Sequence, residues 1–398
     1  MSKKISIGLA IVLMLLAVLV TFQFTFIGLN NKYREELAEL TAGMEAFEKL
    51  AAVDSIVRQL YIGEIDEEYL TDMVIRGYIA GTGDKYAYYL DKEQFAELMA
   101  DNSAEMQGIG VYVIMTDDAI EIINVMPKSP ALEAGLEPGD LIIAVGDETV
   151  ASLGYNNALS RLKGEAGTIA EFTVLRGNTT IDYSIKRGYV NEQTVMSHVY
   201  EADPTIGIVK ILSFDQGTPL QFKEACQTLM DGGVKRFVFD VRYNPGGDLE
   251  AICEILDYLL PEGPTIRIVE GDGKESSRTS DANELDVPMC VLINENTASA
   301  GELFASALQD YDKAALVGTV TYGKGTVQRI LSLPDGTGLG ISYSMYYPPF
   351  SDNYEGIGVQ PDYPCEMDEK LANKSIYKIT DAEDTQLQKA IEVLGKAE

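Results

Sequence analysis

Ser299 and Lys324 have side chains that can serve as a nucleophile and its base, although each by itself also fits a structural role, as a helix-starting serine and a solvated loop lysine. Ser299 follows an apolar run at residues 289–293 that predicts a strand, and it precedes small residues that predict a helix. A helix start offers backbone N–H donors and a positive dipole end to a developing oxyanion. Because a serine hydroxyl is a weak nucleophile, Ser299 requires an adjacent base.

The small number of histidines limits which residue can act as the base for Ser299. The chain has one histidine, His198, so multi-histidine metal sites are excluded and Ser-His-Asp or Cys-His chemistry would depend on that residue. His198 lies in an alternating stretch typical of a strand, which favours a structural role. Lys324, flanked by Gly323 and Gly325, can act as the base if burial lowers its pKa by disfavouring the ammonium form. This chemistry needs neither a metal nor a cofactor.

The elements that must position these residues form an alternating pattern after residue 190. Apolar runs predict strands, and amphipathic stretches between them predict helices, which together indicate a mixed α/β core over residues 191–365. The predicted strands are 206–211, 237–241 and 289–293, and the predicted helices are 220–230, 249–260 and 300–307. A charged C-terminal tail, residues 366–398, has apolar spacing at Leu387, Ile391 and Leu394 that predicts a final helix.

Residues 101–190 show a different pattern, in which short alternating runs are separated by glycines. This pattern predicts a small strand-rich domain. The predicted strands are 110–114, 121–125, 140–145, 170–175 and 180–185.

This small domain resembles the PDZ family in three segments, Gln107-Gly-Ile-Gly-Val111, Ser129-Pro-Ala131 and Pro138-Gly-Asp140. Glycines at 108 and 110 let backbone N–H groups converge on a peptide's terminal carboxylate, while the next strand pairs with the extended tail. The resemblance predicts a binding site for protein C-termini. Its candidate residues are Gly108, Ile109 and Gly110 in the loop and Leu159 and Leu162 on a helix lining the groove.

Three later segments resemble the C-terminal processing peptidases, also called tail-specific proteases. They are Asp240-Val-Arg-Tyr-Asn-Pro-Gly-Gly247, Asn294-Glu-Asn-Thr-Ala-Ser-Ala-Gly-Glu302 and Gly323-Lys-Gly-Thr-Val-Gln328. A PDZ domain followed by these segments is the order found in that family. The resemblance implies a serine endopeptidase that acts on protein or peptide substrates.

The resemblance also implies a role for each residue. Ser299 would attack the scissile amide, neutral Lys324 would remove the serine proton, and Gln328 would position the lysine. The backbone N–H groups of Gly246 and Ala300 would form the oxyanion hole. On a plain strand Lys324 and Gln328 would lie about 13 Å apart, so their contact requires a bend in the chain.

Departures from the family pattern and a rival function stand beside this interpretation. The Thr297-Ala298 lead-in to Ser299 differs from the commoner serine-alanine. Tyr243 occupies a position where many relatives carry asparagine. The rival is a non-catalytic PDZ adaptor that binds C-termini without cutting them, and the presence of Ser299, Lys324 and Gln328 weighs against it.

The N-terminus predicts a membrane anchor. Residues 5–29 carry no charge, follow Lys3-Lys4 and are long enough to span a bilayer, which favours an uncleaved single-pass transmembrane helix over a cleaved signal peptide. The catalytic region would then be extracytoplasmic, at the cell membrane. The predicted organisation is an anchor at 1–30, a helical segment at 31–100, the PDZ domain at 101–190, the protease core at 191–365 and the tail at 366–398.

Composition limits the partners. The chain of 398 residues has 62 acidic and 31 basic side chains, a formal charge of -31 that would repel nucleic acid. Nucleic-acid partners are therefore not expected, and the resemblance implies protein or peptide substrates and a homodimer. Buried free thiols are favoured over disulfides for the four widely spaced cysteines, Cys226, Cys253, Cys290 and Cys365.

Overall fold

The structure is a computed structural model that describes residues 47–101, 106–116, 118–190, 193–371, 374 and 376–396. The chain divides into two compact units, Met1–Met73 and Val74–Glu398. The predicted anchor at residues 5–29 lies outside the described residues. In the described ranges, no helix combines the length and apolar character needed to cross a membrane.

Two helices begin the described chain, α1 at residues 47–60 and α2 at Glu67–Gly81. Within the first unit, Arg58 of α1 pairs with Asp54 one turn earlier and with Glu67 at the start of α2. All three side chains are largely exposed, so this network adds little to the free energy of unfolding.

The domain that resembles PDZ has one main sheet in the order β3-β4-β5-β7-β8, with β6 beside β5 and a separate pair of β2 and β9. Ile120, Ile122 and Val174 are fully buried in its core. Strand β3 lies at the edge of the main sheet, which leaves one side open to an added strand. The elements are β2 Met106–Gly108, β3 Val111–Met115, β4 Ile120–Val125, α4 Pro130–Glu133, β5 Leu141–Val145, β6 Glu148–Thr149, α5 Val150–Leu153, α6 Tyr155–Leu162, β7 Ile169–Arg176, β8 Thr179–Lys186 and β9 Gly188–Val190. The five predicted strands are confirmed.

The α/β core contains a six-stranded sheet in the order β10-β11-β12-β15-β16-β19. All neighbours in it are parallel except β10, which pairs antiparallel with β11. Strands β11, β12 and β15 are apolar nearly throughout because they are covered on both faces. The elements are β10 Val195–Val199, β11 Ile206–Ile211, α7 Thr218–Asp231, β12 Arg236–Asp240, α8 Leu249–Leu259, β15 Met289–Ile293, α9 Ala300–Asp310, β16 Ala314–Gly318 and β19 Tyr363–Pro364. The predicted strands and helices of the core are confirmed.

A second sheet of the core runs β1-β18-β13-β14, with β17 also paired to β18. Its strands are β1 Tyr88–Leu90, β13 Gly263–Glu270, β14 Glu275–Ser280, β17 Thr326–Ser332 and β18 Gly338–Tyr347. Strand β1 comes from the segment predicted to be helical, residues 31–100. That segment also contains helix α3, Lys92–Asp101, but its short strand pairs with β18, which lies about 250 residues later in the chain and could not be detected locally.

The C-terminal tail is fastened to the core by a buried arginine. Arg242, just after β12, donates to Asp240 at 2.7 Å and to Asp384 at 2.7 Å. Asp384 is the N-cap of α10, Thr385–Leu394, the predicted final helix, which buries Leu387 and Leu394. The tail also contains two short 3₁₀ turns, Glu369–Leu371 and Ile376–Lys378.

The histidine and the cysteines have structural surroundings. His198 lies on β10, as predicted, and its ring shares a hydrogen bond of 2.9 Å with Asp381. All four cysteines are free thiols, of which Cys226 and Cys290 are buried and the other two half-buried.

Candidate active site

The three segments singled out in the sequence meet at one edge of the six-stranded sheet. Strands β12, β15 and β16 are parallel neighbours, and each segment follows the carboxyl end of one of them. Residues 241–247 follow β12, residues 294–299 follow β15, and residues 319–325, here called the base loop, follow β16. Such an edge is where open α/β sheets hold their ligands.

Ser299 is held in a strained conformation at the start of α9. Its φ of 54° and ψ of -118° lie in a region that L residues avoid, and such a residue costs about 1 to 3 kcal/mol. The side chain is nearly buried, at 6% exposure. Helix α9 is buried through most of its length, so its positive end points at a site with little water.

The turn after β12 packs directly against the serine. A methyl group on Gly246 would lie 2.7 Å from Ser299 Cβ and 2.9 Å from the nitrogen of Ala300, so this approach requires glycine. The Gly246 N–H donates to Asn244 Oδ1 at 2.8 Å, and the Asn244 amide donates in turn to Ile211 O at 2.9 Å. One of the two predicted oxyanion donors is therefore occupied in this arrangement.

A buried carboxylate joins the serine to the base loop. Glu302 Oε2 accepts the backbone N–H of Ser299 at 2.9 Å and that of Lys324 at 2.7 Å. Its Oε1 accepts the N–H of Gly323 at 2.6 Å and the hydroxyl of Thr321 at 2.5 Å. Burial raises the pKa of Glu302, and these four donors act against that rise. Glu302 thus fixes the backbones of Ser299 and Lys324 relative to each other.

The side chain of Lys324 is half-buried and points to an aromatic ring. Its Nζ lies 5.0 Å from the centre of the Tyr86 ring. Burial lowers the pKa of Lys324, while Glu355, Glu302 and Asp84 act to raise it. Within the described part of the chain, no hydrogen bond joins the Lys324 side chain to Ser299.

Among the hydrogen bonds of the described residues, the Gln328 side chain donates to Thr326 and Ser342 and not to Lys324. Lys324 precedes β17, and the pairing of β17 with β18 shifts in register between Val327 and Gln328. The Gln328 amide donates to Thr326 Oγ1 at 3.0 Å and to Ser342 Oγ at 3.3 Å.

Comparison with known proteins gives matches that together cover both domains. The family model of peptidase family S41 matches residues 205–365, and that of the PDZ domain matches residues 107–186. The carboxy-terminal processing protease CtpA of Bacillus subtilis (strain 168) is 30% identical over 367 residues, which are 92% of this chain and 78% of that protein.

The chain belongs to the carboxy-terminal processing proteases of peptidase family S41.

Two further similarities agree with this assignment. The carboxyl-terminal-processing protease of Synechocystis sp. is 29% identical over 331 residues, covering 81% of this chain and 77% of that protein. The solved structure of a photosystem II D1 C-terminal processing protease is 26% identical and superposes with a TM-score of 0.51, covering 84% of this chain and 89% of the other. The resemblance drawn from the sequence is confirmed, and the protein is a serine endopeptidase of this family with a PDZ domain.

The PDZ domain of this carboxy-terminal processing protease places its predicted peptide-binding residues in two environments. Gly110 has a φ of 82°, and a methyl group there would lie 2.4 Å from Ser129 Cβ, so both conformation and space require glycine. Ile109 and Leu162 are buried in the domain core, whereas Leu159 on α6 is half-buried.

Four site residues of this protease were missed from the sequence, namely Glu302, Tyr346, Glu355 and Tyr86. Glu302 had a local signal, because a serine followed three residues later by glutamate is a capping-box pattern. Buried Tyr346 on β18 interacts with the Ser299 side chain, and its pKa is raised by burial. Tyr86 and Glu355 had no local signal, since they reach Lys324 from distant parts of the chain.

Proposed function

We propose that Ser299 is the nucleophile and Lys324 the general base of a histidine-free endopeptidase that cleaves extracytoplasmic proteins recognised by their C-terminal tails. The observation that carries this proposal is the convergence of the three segments at the ends of β12, β15 and β16, with Ser299 strained at the start of a buried helix. Strain of this kind persists where the surrounding structure imposes it, and it is concentrated at functional sites.

The proposed reaction begins with the attack of Ser299 Oγ on the scissile carbonyl carbon, as its proton passes to neutral Lys324 Nζ. The Ala300 N–H, at the positive end of α9, stabilises the oxyanion, with Gly246 as second donor once its bond to Asn244 is released. The C–N bond then breaks, and the leaving amine takes the proton from Lys324. Water attacks the acyl-enzyme, again through Lys324, and releases the new carboxyl terminus.

The reaction requires the Lys324 side chain to turn from Tyr86 towards Ser299. A lysine has four rotatable side-chain bonds, and its backbone is already held beside that of Ser299 by Glu302. In this proposal Gln328 leaves its bonds to Thr326 and Ser342 and orients the lysine amine. At the base, this change involves side chains only.

The PDZ domain binds the C-terminal tail of the substrate. Strand β3 lies at a sheet edge, where an extended peptide can add as a further strand. Gly108, Ile109 and Gly110 precede it and would bind the terminal carboxylate, with half-buried Leu159 on α6 forming the apolar side of the groove. Leu162, predicted to line the groove as well, is instead buried in the domain core. The names of the relatives, which refer to carboxy-terminal processing, agree with this substrate class.

We also propose that residues 5–29 anchor the protease in the cell membrane and that the chain forms a homodimer. The first proposal rests on the charge-free run in the sequence and the second on the family resemblance. Membrane fractionation and sedimentation of the full chain test them separately.

Cleavage of a denatured protein by the full chain tests the catalytic assignment. Ser299→Ala is expected to abolish cleavage, and Lys324→Ala to reduce it nearly as far, because Ser299 then keeps its proton. Lys324→Arg should also fail, since arginine stays protonated. His198→Ala should cleave normally. A fully active Lys324→Arg variant would reject the base, and tail binding without cleavage by the unaltered chain would favour an adaptor.

The pH profile and the substrate terminus give two independent measurements. Lys324 must be neutral to act as the base, and burial lowers its pKa. The value of kcat/KM should therefore be low at pH values below this pKa and should rise as the pH increases through it. Peptides with a free C-terminal carboxylate should be cleaved faster than the same peptides with an amide. Equal rates for the two would remove the PDZ domain from substrate recognition.

A further inference from the structure

We propose that Glu355 is a positioning residue that holds the base loop at Gly325 and fixes the resting place of the Lys324 side chain. The inference rests on the proposed function of Lys324 as the base. Glu355 lies in the loop between β18 and β19, 31 residues after Lys324, and no sequence motif marks it.

The first contact of Glu355 is to the backbone of the base loop. Its Oε2 accepts the Gly325 N–H at 2.8 Å. Neighbouring Asn353 donates to Gly325 O at 2.8 Å, so both backbone groups of Gly325 are held by one short segment. Since Glu302 accepts the N–H groups of Gly323 and Lys324, the two carboxylates together bind three successive N–H groups of the base loop.

The second contact is to the segment before β1. Glu355 Oε1 pairs with Lys85 Nζ at 3.0 Å and accepts the Tyr86 hydroxyl at 3.4 Å. The Tyr86 ring in turn lies 5.0 Å from Lys324 Nζ. Glu355 thus connects the ring against which Lys324 rests to the loop that carries Lys324.

Glu355 also acts on the charge of Lys324. The groups around this lysine are Asp84 and Tyr86 from the segment before β1, Glu302 from α9, and Glu355 itself. Lys85, which pairs with Glu355, also lies against the Tyr86 ring, with its Nζ 4.7 Å from the ring centre. Of the three carboxylates, Glu355 has the largest effect in raising the pKa of Lys324, against the burial that lowers it. A substitution that removes only this charge should therefore make the lysine easier to deprotonate.

The test compares Glu355→Gln, Glu355→Ala and the control Asp352→Asn in the full chain, using a fluorogenic peptide with a free C-terminus. Glutamine can still accept the Gly325 N–H but has no charge. Its plateau kcat should be higher than that of Glu355→Ala, while the acid limb of kcat/KM should move to lower pH. Asp352, three residues earlier, is exposed and does not act on Lys324, so its substitution should leave the limb in place.

Glu355→Ala also loses the bond to Gly325, so its plateau kcat should fall about tenfold or more at every pH. Urea unfolding checks that each variant is folded. An unmoved acid limb in Glu355→Gln, or an unchanged plateau in Glu355→Ala, would overturn the inference. Activity in Lys324→Ala, measured in the same assay, would instead reject Lys324 as the base, so the two failures are distinguishable.

Discussion

Ser299 and Lys324, the proposed nucleophile and base, are held in place in different ways. Ser299 lies between a fully buried strand and a buried helix, in a conformation that only the surrounding packing can impose. Lys324 lies in a loop without regular structure, whose amides are bound by the carboxylates of Glu302 and Glu355. Ser299 is thus fixed by packing and the backbone of Lys324 by hydrogen bonds.

This difference separates a rigid half of the site from an adjustable one. A strained residue cannot move without rearrangement of the packed elements around it. The Lys324 side chain can exchange a cation–π contact, worth about 0.5 to 2 kcal/mol, for a hydrogen bond to Ser299. The changes that complete the catalytic pair are therefore expected on the base side.

The largest expected effect follows from removing Glu302, whose carboxylate joins the half of the site that holds Ser299 to the half that holds Lys324. Glu302→Ala leaves four donors around a fully buried position without their acceptor. We expect it to lower the free energy of unfolding by at least about 3 kcal/mol and to abolish cleavage. Glu302→Gln keeps one accepting oxygen and should lose less. Urea unfolding and peptide cleavage measure both effects.

The matched control is Glu295→Ala. Glu295 also connects the two halves, accepting the Thr319 hydroxyl at 2.9 Å, but its side chain is exposed. Its loss should change the free energy of unfolding by less than about 0.5 kcal/mol. Equal effects at the two positions would show that Glu302 is not what holds the halves together.

The strain at Ser299 predicts a smaller effect, in which a substitution raises the free energy of unfolding instead of lowering it. Glycine adopts positive φ without penalty, so Ser299→Gly should be about 1 kcal/mol more stable than Ser299→Ala, although neither variant can cleave. Ser306, buried within α9, is the control. At this helical position the order should be reversed, so that the alanine variant is about 1 kcal/mol more stable than the glycine variant. The same order of stability at both positions would mean that Ser299 is not strained.

The two halves also differ in how far the sequence could predict them. Strand β15 and helix α9 were predicted because an apolar run and small residues are local signals, and Ser299 stands where they meet. The resting place of Lys324 depends on Tyr86 and Glu355, which lie far from it in the chain, and a single sequence carries no signal for such contacts. Strand β1 was missed for the same reason.

The smallest expected effect concerns Tyr243, a second strained residue near Ser299, and asks whether its backbone strain is needed for catalysis. Tyr243, in the turn before Gly246, has a φ of 64° and a side chain that is 49% exposed. Asparagine tolerates the left-handed region better than tyrosine, so Tyr243→Asn should stabilise the protein by about 0.5 kcal/mol without changing kcat. Tyr322→Asn, at an exposed loop position without positive φ, is the control and should not stabilise. A higher urea midpoint with an unchanged slope would show that the strain at Tyr243 can be relieved at no catalytic cost, whereas a fall in kcat would place this turn's conformation among the requirements of the reaction.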